Sequence, residues 1–112
     1  LNNYSYILAL RGEDLQTATE MIQKVLKKFP EDAEYLYTYS LILYKTKSYQ
    51  KAKEIIEKAI TFADENNAKL LEHYGDILFQ TGKREEAVEK WKEALSAGGE
   101  NSDLEQKIKE GL

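Results

Sequence analysis

Apolar residues along this chain recur at spacings of three, four and seven. Leu1, Tyr4 and Leu8 follow that rule, as do Leu36, Tyr39 and Leu43, and again Leu71, Tyr74 and Leu78. A second type of stretch carries Ala18, Ile22 and Val25, then Ala52, Ile56 and Ala59, then Ala87, Trp91 and Ala94. These are the same-face offsets of an α-helix, so each stretch is predicted to be an amphipathic helix with one buried stripe. Polar or turn-forming segments at 28–32, 64–67 and 97–101 separate the pairs. Within the pairs, Gly12 and Gly82 stand where a left-handed helix cap is wanted. The middle pair has Lys47 there instead and must turn without glycine.

The two types alternate, and the alternation repeats. Tyr4, Tyr39 and Tyr74 are spaced 35 residues apart, each followed at once by a small residue, Ser5, Ser40 or Gly75. Such a period marks stacked helix–turn–helix units. The small residues, together with Ala18, Ala52 and Ala87, let paired backbones approach, and the large residues fill the space between layers. Three units are expected, at about 1–32, 33–67 and 68–101, within a single domain spanning 1–112. The first lacks the start of its first helix. After them, Ser102 and Glu105 have capping-box spacing, Leu104 and Ile108 share one narrow apolar face, and Gly111 suits a helix end. A capping helix is therefore expected over 102–110.

In the third unit the string Leu-x2-Tyr-Gly-x2-Leu, then Gly-x4-Ala-x3-Trp-x2-Ala, resembles the tetratricopeptide (TPR) pattern. The middle unit matches with Ser40, Lys47 and Ile56 in place of Gly, Gly and Phe, and the first closes with Pro30. The wording is similar to C-terminal repeats of longer bacterial TPR proteins. The resemblance implies an all-α, right-handed TPR superhelix, an α-solenoid of about three repeats plus the C-terminal cap. It also implies that the first helix of each pair lines a concave protein-binding groove. Carried over residue by residue, the groove positions are Tyr6 in the first unit, Tyr37, Leu41 and Tyr44 in the second, and Glu72, Asp76 and Phe79 in the third, with His73 bordering the same surface. The clamp of Lys, Asn and Arg by which some TPR domains hold a terminal carboxylate is matched only at Lys69, so that ligand class is not expected.

Composition changes this picture little. The 42 % hydrophobic residues supply a core, and the formal charge of −4 with interspersed signs gives no basic footprint for nucleic acid. No apolar run reaches 18 residues, so no membrane-inserting helix is expected. Zero Cys excludes disulfides and thiolate metal sites. Glu72 and Asp76, at i and i+4, place two carboxylates on one helical face. That is the spacing of an acid–base pair or cation site, yet His73 is the single histidine, and a solvated acidic face is the expectation. No phosphate loop or nucleophile motif is present. The function expected is a non-catalytic scaffold holding a protein or peptide, without cofactor or metal. The alternative is a structural or self-associating segment of a longer solenoid, homo-oligomeric through its N-terminal repeat face. The compartment stays open between cytoplasm and bacterial envelope, since the chain starts at Leu1 and is read as the tail of a longer array whose targeting segment lies elsewhere.

Overall fold

Each periodic stretch from Leu15 onward becomes a helix in the computed structural model, which describes residues 15–63, 67–98 and 102–111, the side chains of 102 and 103 excepted. The described elements are α1 (Leu15–Lys28), α2 (Ala33–Lys45), α3 (Tyr49–Phe62), α4 (Ala68–Gln80), α5 (Arg84–Ser96) and α6 (Ser102–Gly111). They fall into two compact units, Leu1–Phe62 and Ala63–Leu112. The expected first helix of the first repeat, with Tyr4 and Tyr6, lies outside the described residues, as does the side chain of Ser102 on which the capping box depends.

In the first unit, α1 buries the stripe Ala18, Ile22 and Val25. Lys27 and Lys28 in its last turn complement the negative end of the helix dipole. The chain then turns, and Asp32 caps α2 by accepting a hydrogen bond from the Tyr35 amide at 3.0 Å. Helix α2 is buried almost all round: Leu36, Tyr37, Thr38, Tyr39 and Ser40 are consecutive buried residues, with Ile42 and Leu43 beyond them. A helix with neighbours on two sides has this character, and α2 packs on both α1 and α3. Helix α3 presents Ala52, Ile55, Ile56 and Ala59 to it. The small residues work as their spacing suggested. Ser40 Oγ donates to the Ala52 carbonyl oxygen at 2.8 Å in the interior, a contact that needs two backbones this close.

The second unit repeats the arrangement. Asn67 caps α4 by accepting from the Lys69 amide at 3.0 Å. Helix α4 buries Leu70, Leu71, His73, Gly75, Ile77 and Leu78, and α5 buries Ala87, Val88, Trp91 and Ala94. Glu85 and Glu86 sit in the first turn of α5, where the helix dipole favours negative charge. At Gly75, the counterpart of Ser40, an added Cβ would stand 3.1 Å from the Ala87 carbonyl oxygen and 2.5 Å from Trp91 Cδ1 and Nε1. Helix α6 packs on α5, with Gly111 against Val88 and Trp91, and buries Leu104 fully. Gly111 is the last residue of α6, the helix end that its type suggested. It has a second task there: a Cβ would meet Val88 Cγ2 at 2.6 Å, so α6 presses on α5 at this point. Ile108, expected on the buried face, is only half-buried.

Both helix-to-helix turns share one construction. The Ser48 amide donates to the Leu43 carbonyl (2.8 Å) and the Lys47 amide to that of Tyr44 (3.0 Å), while Lys83 and Gly82 do the same to Leu78 (2.9 Å) and Phe79 (3.1 Å). This is the paired bonding of a Schellman cap, whose central residue is left-handed. Accordingly φ is +84° at Gly82 and +64° at Lys47. Thr46 and Thr81 reinforce it, each hydroxyl donating back at 3.0 Å to the carbonyl three residues earlier. A left-handed conformation costs a non-glycine residue about 1–2 kcal/mol, partly offset by glycine's greater unfolded entropy. Lys47→Gly is therefore expected to stabilise the first unit by about 0.5–1 kcal/mol, read as a raised denaturation midpoint. An unchanged or lowered midpoint would show that the lysine side chain offsets its backbone cost.

Candidate functional site

The groove residues expected from the repeat pattern fall on the first helix of each pair, α2 in one unit and α4 in the other. On α2, Tyr37 is buried (8 % exposed), while Leu41 and Tyr44 are half-buried. The inward place of Tyr37 follows from the position of α2 between two neighbours. Tyr44 lies at the end of the helix, and its ring meets that of Tyr49 edge-on, with centroids 5.4 Å apart. On α4, Phe79 occupies the equivalent place. It is 36 % exposed, packs against Trp91 at 5.6 Å, and has the Arg84 guanidinium 5.8 Å from its ring centroid. Tyr49 and Arg84 each stand five residues beyond the aromatic they brace, at the start of the second helix. Sequence reading missed these braces, although the shared spacing Tyr44–Tyr49 and Phe79–Arg84 was available to find them. Tyr6 lies outside the described residues.

The acidic side of α4 is not the open, solvated face that its spacing suggested. Lys107 of α6 reaches across to it, with Nζ 2.7 Å from Glu72 Oε2, 2.9 Å from Asp76 Oδ1 and 3.1 Å from Asp76 Oδ2. Trp91 Nε1 also donates to Asp76 Oδ1, at 3.1 Å. One lysine thus serves two carboxylates a helical turn apart, and the tryptophan fixes the second. His73, expected to border the surface, is buried at 4 % exposure. It stands three residues after Leu70 and four before Ile77, both buried, and so shares the packed side of α4.

The ionisation of this cluster follows from its burial. Burial pushes the Asp76 carboxyl above its ordinary value, and repulsion from Glu72 adds to this. The bonds from Lys107 and Trp91 pull the other way without cancelling it. For Lys107, burial disfavours the charge, but the bonds and attraction of Glu72 and Asp76 outweigh it and raise the ammonium above 10.5. Both values are raised, so each group makes stability fall as pH rises through its own range. Lys107 contributes stability that is fully present below the ordinary lysine value and lost as pH rises through its higher folded value. The raised Asp76 value acts in the same direction in the acid range: its burial cost is relieved as pH falls through it and returns as pH rises. Wild-type chain should lose more stability than a Lys107→Met variant as pH rises above the ordinary lysine value, measured by denaturation midpoints. Parallel curves for the two proteins would count against the bridge.

Among the described residues, no group of three or more His, Cys, Asp or Glu side chains is placed to hold a metal ion, and no helix is long and apolar enough to cross a membrane.

Comparison with known proteins adds the following. The family model described as anaphase-promoting complex, cyclosome, subunit 3 matches residues 12–100. Among solved structures, the chain is similar to YrrB, a TPR protein with an unusual peptide-binding site. The TM-score is 0.80 at 19 % identity, covering 95 % of this chain and 54 % of that one. It is also similar to TTC0263, a thermophilic TPR protein of Thermus thermophilus. Here the TM-score is 0.81 at 18 % identity, covering 100 % of this chain and 60 % of that one. The chain therefore spans between half and two thirds of these relatives' lengths. At such identities the likeness speaks for the fold. No curated protein matches the sequence.

Proposed function

We propose, from the premise that the chain belongs to the anaphase-promoting complex, cyclosome, subunit 3 family of tetratricopeptide-repeat proteins, that it is a non-catalytic scaffold whose first helices hold a peptide or helical segment of another protein. The observation that carries this reading is the paired aromatic construction. Tyr44 and Phe79 hold the same place in successive repeats, each with part of its ring open to solvent and each braced by the residue five further on. A braced aromatic offers large contact area at little entropic cost on binding, as hot-spot residues do. Leu41, one turn before Tyr44, extends the apolar surface. YrrB is described as having a peptide-binding site, which supports looking for one on this fold.

The test uses peptides selected from a displayed random library on the wild-type chain. Tyr44→Ala combined with Phe79→Ala should weaken the selected peptides by about tenfold or more, the loss expected when hot-spot side chains are truncated. Helical circular dichroism should persist, because neither ring is fully buried. Tyr37 is a poor probe despite its groove position, since its removal would also open the core. Undiminished affinity in the folded double variant would refute the reading.

A further inference from the structure

Helix α6 stands on the surface to which the proposed function assigns a partner, and its attachment differs from that of its neighbours. It has only ten residues, too few for an isolated helix to persist in water, so its place depends on what it touches. Among its described side chains, Leu104 is fully buried, Gly111 lies against Val88 and Trp91, and Lys107 spans Glu72 and Asp76. By contrast α5 is anchored by four buried side chains, Ala87, Val88, Trp91 and Ala94. Elements with fewer buried apolar side chains open locally before the rest of a domain does.

The seat beneath α6 is also selective. Glu72 and Asp76 share the Lys107 ammonium, and Asp76 is further held by Trp91. Removing Lys107 leaves two carboxylates on adjacent turns with no shared counter-charge, so whatever replaces it there should be cationic.

We propose that α6 is a detachable strap: it covers the acidic side of α4 by holding Lys107 between Glu72 and Asp76, and a lysine or arginine on a partner helix takes that place when α6 lifts. This rests on the reading of the first helices as a binding surface, and it adds regulation to it. While the strap is closed, only the aromatic end of α4 around Phe79 is offered. A partner that presents a basic residue competes with a helix tethered in the same chain, whose effective concentration is on the order of millimolar.

The experiment uses the full chain with Lys107→Glu, which sets a third carboxylate against the other two, and Lys107→Gln, which removes the charge alone. Amide hydrogen exchange read by mass spectrometry should show α6 opening in the wild type while α4 and α5 stay protected. Both variants should speed exchange in α6 by about tenfold without affecting α4 or α5. The probe is a labelled synthetic peptide with the sequence of residues 102–112. The Lys107→Glu chain should bind it at least about tenfold more tightly than the wild type does, and should reject the same peptide carrying Glu at its lysine position. The strap is overturned if α6 exchanges only together with α4 and α5 in all three proteins. It is equally overturned if the opened variants do not prefer the lysine peptide. Failure of the Tyr44 and Phe79 substitutions to weaken selected peptides would instead refute the binding surface, leaving the opening of α6 as measured.

Discussion

Trp91→Ala is expected to destabilise the second unit by about 3–5 kcal/mol, the range for removing a large aromatic from a packed core. Trp91 is 3 % exposed, and its indole meets both other helices of the unit. It lies against Phe79 on α4 at 5.6 Å, fills the space opened by Gly75, and backs Gly111 of α6. Its Nε1 donates to Asp76 at 3.1 Å. Truncation therefore leaves a cavity and also removes a donor from a half-buried carboxylate. Urea denaturation followed by far-ultraviolet circular dichroism measures the loss, since the variant has no tryptophan to report by fluorescence. A change below about 1 kcal/mol would mean that the unit collapses readily around the gap.

The second large effect is expected at Gly75. Gly75→Val places a branched side chain where even a Cβ would come within 2.5 Å of the indole and 3.1 Å of a backbone oxygen of α5. Leaving glycine in mid-helix favours the variant by several tenths of a kcal/mol, but overpacking costs about 1–3 kcal/mol and more for a branched group, so the net is destabilising. The first unit shows how the position can carry a larger residue. There Ser40 stands in the repeat position that pairs with Ile56, and its hydroxyl donates to the Ala52 carbonyl at 2.8 Å. Gly75→Ser should accordingly be less harmful when combined with Trp91→Ile than in the wild-type background. A coupling of about 1 kcal/mol or more in that double-mutant cycle is expected. Additive losses would show that serine at this place does not compete with the indole for space.

The same pair shows what a sequence reader can extract. Ser40 with Ala52 and Ile56, and Gly75 with Ala87 and Trp91, lie at helical offsets inside a 35-residue period, so fold and core were legible from spacing alone. The turn at Lys47 was legible too, because its place in the repeat demands a left-handed residue whichever side chain occupies it. The candidate site was less so. Periodicity tells which residues share a face of one helix, but not how many neighbours that helix has. Thus Tyr37 and His73, placed on a binding surface by analogy, lie buried, Tyr37 because α2 is packed on both α1 and α3. The bridge from Lys107 to Glu72 and Asp76 was invisible for a different reason. It joins residues 35 and 31 positions apart on separate helices, and nothing in the local pattern marks a lysine on a short amphipathic helix as the partner of a distant acidic pair. Gly111 was legible as the end of α6, but not its close approach to Val88 and Trp91, which joins two helices.

That the chain holds another protein by the first helices of its repeats is tested most directly by amide chemical-shift mapping of the 15N-labelled chain with a library-selected peptide. Perturbations should concentrate on α2 and α4, around Leu41, Tyr44 and Phe79. Perturbations confined to the exposed sides of α3 and α5, at Lys58, Glu89 and Lys92, would contradict it.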